Sequence, residues 1–585
     1  MKSVFSVDQI RRAENTLMAL QSDSDELIIS AASAVADVAL ALLKVPAPAL
    51  AQDGKILLLV GSGGNGGDAL YAGAFLAEEG KKVDALLLNK ERVHHSALSY
   101  FESLGGTVLD SEPNHGDYRL LIDGILGIGG RGGIAPETAR FVENFYSAGI
   151  PILAVDIPSG VHADTGAVPE PALVTLDGFE QGAPIARQKI PTHINADVTI
   201  TFGGLRRAHA VSAACGEVLL ADISVAGAGG RSLSHALLEI QSADSGPQYF
   251  ASKAWNGVPN APAQNPKLAA MFEALAAENS GIQRLGRQFI VLDVEPSPDH
   301  DKYSGGIVGI VAGSEQYPGA AVLATAAAVR ATSSMVRYVG PVAAAVLAAL
   351  PEVVATSSLG TAGRVQAWVF GPGHGIDEQA FKELQELLNN PEPLLIDADG
   401  LTLLSASAEL RQLLRTRHGA SVLTPHRGEF ERIASALRAE GIEIPNPETD
   451  SIGAAHAMAE NLKCCVLLKG RFTIIATCNY VYAVNAGHSW SATPGSGDVL
   501  SGLIGAHLAH SSAELNRIPE YIPELEISDT AVYAQVAPAV TIHAVAAALA
   551  ARTEFGPAPT SASKIAAAIP AATAMVNTHA PMNFS

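Results

Sequence analysis

Residues Thr493-Pro494-Gly495-Ser496-Gly497-Asp498-Val499-Leu500-Ser501-Gly502 form a glycine turn that runs into an apolar, alanine-rich stretch of helical character. Backbone N–H groups at Gly495 to Asp498 and the positive end of the helix dipole suit a phosphate or an oxyanion, and glycine lets it approach closely. Asp498 then has two readings. A carboxylate in the first turn of a helix is favourable as a cap, and beside an anion it can also take or give a proton.

Other polar groups in this half follow short apolar runs of strand length. Trp368-Val369-Phe370 leads into Gly371-Pro372-Gly373-His374, Leu394-Leu395-Ile396 into Asp397-Ala398-Asp399-Gly400, Val422-Leu423 into Thr424-Pro425-His426-Arg427-Gly428-Glu429, and Val466-Leu467-Leu468 into Lys469-Gly470. Taken singly, His374 and His426 read as satisfied loop histidines and Lys469 as a solvated strand end. Gathered at the carboxyl ends of one α/β sheet, they would form the rim of an active site.

The first half offers a different chemistry. Asn65 and Asp68 lie in Gly61-Ser62-Gly63-Gly64-Asn65-Gly66-Gly67-Asp68, Asp123 closes an apolar run, and Asp156 and Ser159 lie in Val155-Asp156-Ile157-Pro158-Ser159-Gly160. Each alone suits a turn or cap. Converging, an amide oxygen, a carboxylate and a hydroxyl make a hard oxygen site for a group I or II cation. The loop Gly127-Ile128-Gly129-Gly130-Arg131-Gly132-Gly133, with its backbone amides and one guanidinium, suits a pyrophosphate.

Positioning these groups requires alternating strands and helices. Residues 9–21 and 25–43 have helical apolar spacing. Strand-length runs at 55–60, 83–88, 120–122 and 152–155, separated by helical stretches, predict a parallel sheet covered on both faces. In the second half Ile307–Ala312 reads as a strand, and the Ala-rich segments 319–331 and 341–350 are too short or interrupted to span a bilayer and read as buried helices. From Gly227 to Gly286 the pattern fades into Gly, Ser, Pro, Asn and Gln, with one helix expected at Lys267–Glu278. The expected organisation is a first domain at 1–227, a linker or inserted loop region at 228–289 and a second domain at 290–585.

A chain of 585 residues that is 48% hydrophobic and 17% charged has the makings of large cores. Its formal charge of −21 repels phosphate backbones, so nucleic acid is not an expected partner, and neither is a membrane. Cys215, Cys464, Cys465 and Cys478 lack metal-site spacing, and the N-terminus lacks the apolar run of a signal peptide. A reducing cytoplasm is the expected setting.

On Gly63 to Asp68, Asp123 with its glycine loop, Val155 to Val161 and Ala196-Asp197-Val198-Thr199-Ile200-Thr201-Phe202, residues 5–225 resemble the NAD(P)H-hydrate epimerase family. The resemblance implies a Rossmann-like three-layer domain in which Asn65, Asp123 and Ser159 hold a potassium ion. Gly64, Asn65, Gly66, Gly67, Asp68, Ile128, Gly129, Gly130, Arg131 and the glycines 127, 132 and 133, together with Asp156, would bind the hydrated nucleotide. Asp156 is the candidate proton carrier. Gly64 departs from the family, which usually has Asn there.

Residues 290–575 resemble the ADP-dependent NAD(P)H-hydrate dehydratase family, on Gly371-Pro372-Gly373, Asp397-Ala398-Asp399-Gly400-Leu401, Thr424 to Glu429, Leu468-Lys469-Gly470 and Gly495 to Asp498. This implies a ribokinase-like α/β fold. Ala320, Gly373, His426 and Asp498 would contact the hydrated nucleotide; Lys469, Gly470, Arg471, Phe472, Thr473 and Gly497 would hold ADP, with Mg²⁺ a further candidate ligand. Asp498 would orient the substrate hydroxyl or relay its proton. Together the halves resemble a bifunctional repair enzyme for hydrated NADH and NADPH, expected as a homo-oligomer: one domain interconverts the R and S epimers and the other dehydrates the S epimer. The alternative is a ribokinase-like vitamin or small-alcohol kinase fused to a nucleotide-binding module, with Asp498 deprotonating a hydroxyl for attack on ATP.

Overall fold

Lys55–Val60 has no polar face beyond its first residue, so both its sides must be covered. In the computed structural model, Ile56, Leu58 and Val60 point into one apolar cluster and Leu57 and Leu59 into another, the period-two alternation of a strand between two helical layers. The structure describes residues 2–45, 54–175, 187–255, 281–285, 296, 301–515 and 527–577, together with Met271 and Leu275. The chain divides into two compact units, one of residues 2–245 and 257–285, the other of 246–256 and 286–585 apart from Met1.

In the first unit the strand order is Gln283–Arg284, Glu217–Ala221, Val198–Phe202, Ile152–Val155, Tyr118–Gly124, Lys55–Val60, Val83–Leu87, Thr107–Leu109. All neighbours are parallel except the first pair. From Lys55–Val60 the chain winds outward through Val83–Leu87, then returns to Tyr118–Gly124 on the other side. The crevice beyond the carboxyl ends of these two central strands is the switch point where α/β sheets bind ligands. Helix Glu26–Leu43 is the one described helix long and apolar enough to cross a membrane, and here its buried residues belong to the core cluster.

In the second unit the order is Gln248–Lys253, Tyr480–Asn485, Phe472–Ala476, Cys465–Leu468, Ser421–Leu423, Leu394–Ile396, Ala367–Phe370, Val308–Val311, Val336–Val339, Val354–Thr356. The run from Cys465–Leu468 to Val354–Thr356 is parallel, so the strand ends at 370, 396, 423 and 468 open on one edge. Helix Ser496–Leu515 lies against this sheet. A Cβ at Gly502 would sit 1.9 Å from the carbonyl oxygen of Ala324, and one at Gly505 2.2 Å from Cγ2 of Val369. These glycines let the helix approach helix Pro318–Ala331 and the sheet, and so set the position of Asp498 on its first turn.

Two expectations are corrected. Ala343–Ala349 is a helix, but only Val346 in it is buried: seven residues make two turns, and alanine leaves too little apolar area to hold more of it down. The segment 228–289 contains regular structure that its flanking glycines and serines obscure. Leu233–Ala243 is a helix burying Leu233, Ala236 and Leu237, and Gln248–Lys253 pairs in register with Tyr480–Asn485. The helix expected at Lys267–Glu278 lies outside the described residues but for Met271 and Leu275, both buried.

Candidate active sites

In the first unit a cavity of about 530 Å³ opens at the switch point. Its walls are the N-terminus of helix Gly64–Glu78, the loop after Tyr118–Gly124, Asp156 and Arg206, and one face of helix Val7–Met18. The N-cap of Gly64–Glu78 is Gly63, with no side chain to occupy the first N–H groups, which leaves them for an anion. A Cβ at Gly127 would lie 2.1 Å from Oδ1 of Asn65, so the glycine loop can close over Asn65 only without a side chain there. Gly64 is different: a Cβ there would meet nothing within 4 Å, so the space for the family's Asn is present.

Asp156 is held in an unusual way. Its φ of 63° is in the left-handed region, a strained conformation for a non-glycine residue immediately after a strand. Its Oδ1 accepts from Thr201 Oγ1 at 2.9 Å and pairs with the guanidinium of Arg206 at 3.0 Å. Arg206 is 1% exposed and also donates to the carbonyls of Phe202 and Gly204. His209 accepts from the Arg206 N–H through Nδ1, so its Nε2–H donates to the Asp156 carbonyl at 2.8 Å; burial pushes this imidazole down to about 4. Backbone and carboxylate of Asp156 are therefore fixed from both sides.

Asn65, Asp123 and Ser159 come together behind the loop. Fully buried Asp123 accepts from the Ser159 hydroxyl at 2.6 Å and from the Ser159 and Ile125 amides at 2.8 and 3.2 Å. Burial lifts its carboxyl to about 6 despite those bonds. The Asn65 side-chain amide lies 2.6 Å from the Val155 carbonyl and 3.3 Å from that of Leu126, whose N–H donates to Ser159 Oγ at 2.9 Å. One carboxylate amid neutral oxygens fits a monovalent cation better than a divalent one. Among the described residues no cluster of three or more His, Cys, Asp or Glu suits a metal.

Asp68 lines the cavity and is 8% exposed, its carboxyl raised well above the usual range by burial and by the neighbouring charges of Asp156 and Glu14. Gly127, Ile128, Gly129 and Gly130 line it too, whereas Arg131 is exposed and outside its walls. Gly127, Gly130 and Gly132 also border a neighbouring cavity of about 220 Å³. The guanidinium at the loop is that of Arg11, 3.5 Å from a Cβ placed on Gly129. Sequence reasoning missed Arg11, Glu14 and Arg206. The visible signal for Glu14 was its place between Ile10 and Leu17 on a helix stripe that is otherwise buried.

In the second unit Asp397, 1% exposed, accepts from Lys469 Nζ at 2.8 Å and from Ser501 Oγ at 2.7 Å. Burial opposes its charge, but the Lys469 ammonium and these hydrogen bonds hold it below the ordinary range. Lys469, 3.9 Å from Glu429 as well, is correspondingly raised against its own burial cost. Ala398, next along, has φ 47°, a second strained residue at a strand end. A Cβ on Gly497 would come 3.3 Å from Lys469 Nζ, which places the helix N-terminus directly beside the ammonium. Asp498 accepts no hydrogen bond from a described residue; it stands in the first turn of the helix, where its charge suits the helix dipole. Burial and then the Asp397 charge push it up to about 7, against the pull of Lys469.

Gly373 (φ 59°) and Ala320 are neighbours: a Cβ on Gly373 would lie 2.8 Å from that of Ala320. His426 caps helix Arg427–Ala439, its Nδ1 accepting from Gly428 at 2.9 Å and its Nε2 lying 3.5 Å from Glu429 Oε1 on a largely exposed side chain. Of the Lys469–Thr473 stretch, Gly470 and Arg471 are exposed, Phe472 is half-buried and Thr473 is buried, donating to the Gly470 carbonyl. His374 pairs through Nε2 with Glu383 at 2.6 Å, while its buried Nδ1 has no hydrogen-bond partner among the described residues.

A family model described as YjeF-related protein N-terminus matches residues 24–208, and one described as NAD(P)H-hydrate dehydratase matches 308–570. The chain is 66% identical to the bifunctional NAD(P)H-hydrate repair enzyme Nnr of Corynebacterium glutamicum over 99% of both chains. To the Mycobacterium tuberculosis H37Rv protein of the same description it is 38% identical over 87% of this chain and 89% of the relative. A solved ADP/ATP-dependent NAD(P)H-hydrate dehydratase from Bacillus subtilis, co-crystallised with ATP and Mg²⁺, is 24% identical and covers 48% of this chain and 94% of its own, with a TM-score of 0.39. The chain belongs to the bifunctional NAD(P)H-hydrate repair enzyme family.

Proposed function

We propose that the first unit interconverts the R and S epimers of hydrated NADH and NADPH, and that the second dehydrates the S epimer with ADP as co-substrate. The observation that carries this is the 66% identity, which runs through both halves without a gap in coverage. The assay is conversion of each separated epimer with and without ADP: the S epimer needs only the second unit, the R epimer needs both.

In the first cavity the hydrated ring would lie against Asp156, with its pyrophosphate toward the amides of 64–68 and 127–130 and the Arg11 guanidinium. The hydrate carries its hydroxyl on a carbon bonded to the ring nitrogen, so the stereocentre is lost when that C–N bond opens and is reset when it recloses. Opening needs a base at the hydroxyl, and the proposed base is Asp156. Asn65, Asp123 and Ser159 would hold potassium, which supplies fixed positive charge behind the glycine loop. Asp123→Ala should therefore lower epimerisation and raise the nucleotide requirement while dehydration of the S epimer continues. Epimerisation indifferent both to this change and to replacing potassium with a bulky organic cation would remove the site from the account.

In the second unit the amides of Gly495–Gly497 and the Lys469 ammonium are set for phosphate oxygens, and residues 469–473 would receive the adenine nucleotide. Hydroxide is a poor leaving group, and a phosphate ester is a good one. Asp498 would take the hydroxyl proton as the oxygen attacks the β-phosphorus of ADP and AMP departs. The ring nitrogen then expels phosphate, and loss of a proton from the adjacent carbon restores the dihydropyridine. AMP and phosphate should appear one for one with NADH. A kinase of small alcohols would instead leave a stable phosphorylated product.

A further inference from the structure

Helix Val7–Met18 buries Ile10, Ala13 and Leu17 completely, and the stripe through Ile10, residue 14 and Leu17 should by pattern be apolar throughout. It carries Glu14 instead. The helix turns Arg11, Glu14 and Met18 to the 530 Å³ cavity, which Asp68, Asp156 and Arg206 also line. A carboxyl on a packed stripe is unfavourable unless something compensates it. Glu14 accepts no hydrogen bond from a described residue, and its surroundings are ionic rather than hydrogen-bonded: Arg206 and Arg11 favour its charge, Asp156 disfavours it, and burial, the largest influence, lifts the carboxyl to about 7. Asp156, by contrast, is bound by Thr201 and Arg206. Asp68 also lines the cavity, its carboxyl raised well above the usual range by burial and by the charges of Asp156 and Glu14.

Ring opening needs two proton positions, and the epimerase reading of this cavity, on which a role for Glu14 rests, supplies only one. As the hydroxyl proton leaves and the C–N bond breaks, the electron pair goes to the ring nitrogen, which must gain a proton to hold the ring open; reclosure reverses both transfers. We infer that Glu14 is a second catalytic residue of the epimerisation, giving a proton to the ring nitrogen on opening and taking it back on closing, while Asp156 handles the hydroxyl. No net proton is consumed. The two carboxyls come from different elements that line the same cavity, so one can serve the oxygen and the other the nitrogen of the hemiaminal carbon.

The test uses the full-length protein and separated epimers, followed chromatographically without ADP. Glu14→Gln keeps shape and polarity and removes the proton; it should lower kcat for epimer exchange by ~10²–10⁴-fold with KM little changed. Glu14→Asp should restore part of that rate. Dehydration of the S epimer with ADP by the same variant should be as in the parent, since the other unit performs it. Wild-type exchange rates in Glu14→Gln, or a change in KM alone, would overturn the inference and leave Glu14 a binding group. If the parent protein itself does not exchange epimers above the uncatalysed rate, the reading of the cavity fails instead, which separates the two failures.

Discussion

Asp498→Asn should abolish dehydration while leaving epimer exchange intact. The change preserves size and hydrogen-bonding capacity but removes the base, and loss of a general base typically costs ~10²–10⁴-fold in rate. Binding of ADP should survive, because the residues proposed to hold it, Lys469–Thr473 and the Gly497 amide, are untouched. The same group predicts a pH profile. Burial and Asp397 raise Asp498 to about 7 in the free protein, and a base works deprotonated, so kcat/KM for the S epimer should rise with pH through about 7 and flatten above it. Asp498→Asn should lose that limb. Normal dehydration by the variant with ADP bound would make Asp498 an electrostatic feature of the helix start and no more.

The second large effect is on stability. Lys469→Met should cost about 3–5 kcal/mol, because it leaves Asp397 buried with the Ser501 hydroxyl but no cation. Thermal unfolding of the second unit reports it, and a loss under about 1 kcal/mol would mean that Asp397 is rescued by water or by taking a proton. The pair also fixes a pH window. Asp397 is lowered from 3.8, so its contribution is complete above that value and fades as pH falls through the folded value; Lys469 is raised from 10.5, so its contribution is complete below 10.5 and fades as pH rises beyond it. The wild-type advantage over Lys469→Met should be flat between these limits and shrink outside them.

Strands, glycine loops and the polar residues at strand ends were legible because each is a local pattern: an apolar run of two to six residues followed at once by glycine or by a polar residue such as Asp or Lys. Parallel pairing then obliges Asp123 and Ser159 to meet although separated by 36 positions, and Asp397 and Lys469 by 72. Residues that enter a site from a helix face or from deep burial were not legible in this way. Arg206 reads as a surface residue by type, and only the approach of Asp156 and two carbonyls explains its near-zero exposure. Glu14 stands on the buried stripe between Ile10 and Leu17, but what a carboxyl there faces is shown only by the cavity beside it. Gln248–Lys253 was hidden for another reason: its partner Tyr480–Asn485 lies more than two hundred residues on, and a Gln-Tyr-Phe-Ala-Ser-Lys strand has no strong alternation of its own.

The most direct test is to incubate the protein with a mixed pool of R and S hydrates and ADP and follow the nicotinamide absorbance to its end point. The account predicts that the whole pool returns to NADH or NADPH, and that without ADP no absorbance develops while the epimers continue to exchange. Absorbance that stops once the S epimer is exhausted, or that develops equally without ADP, would contradict it.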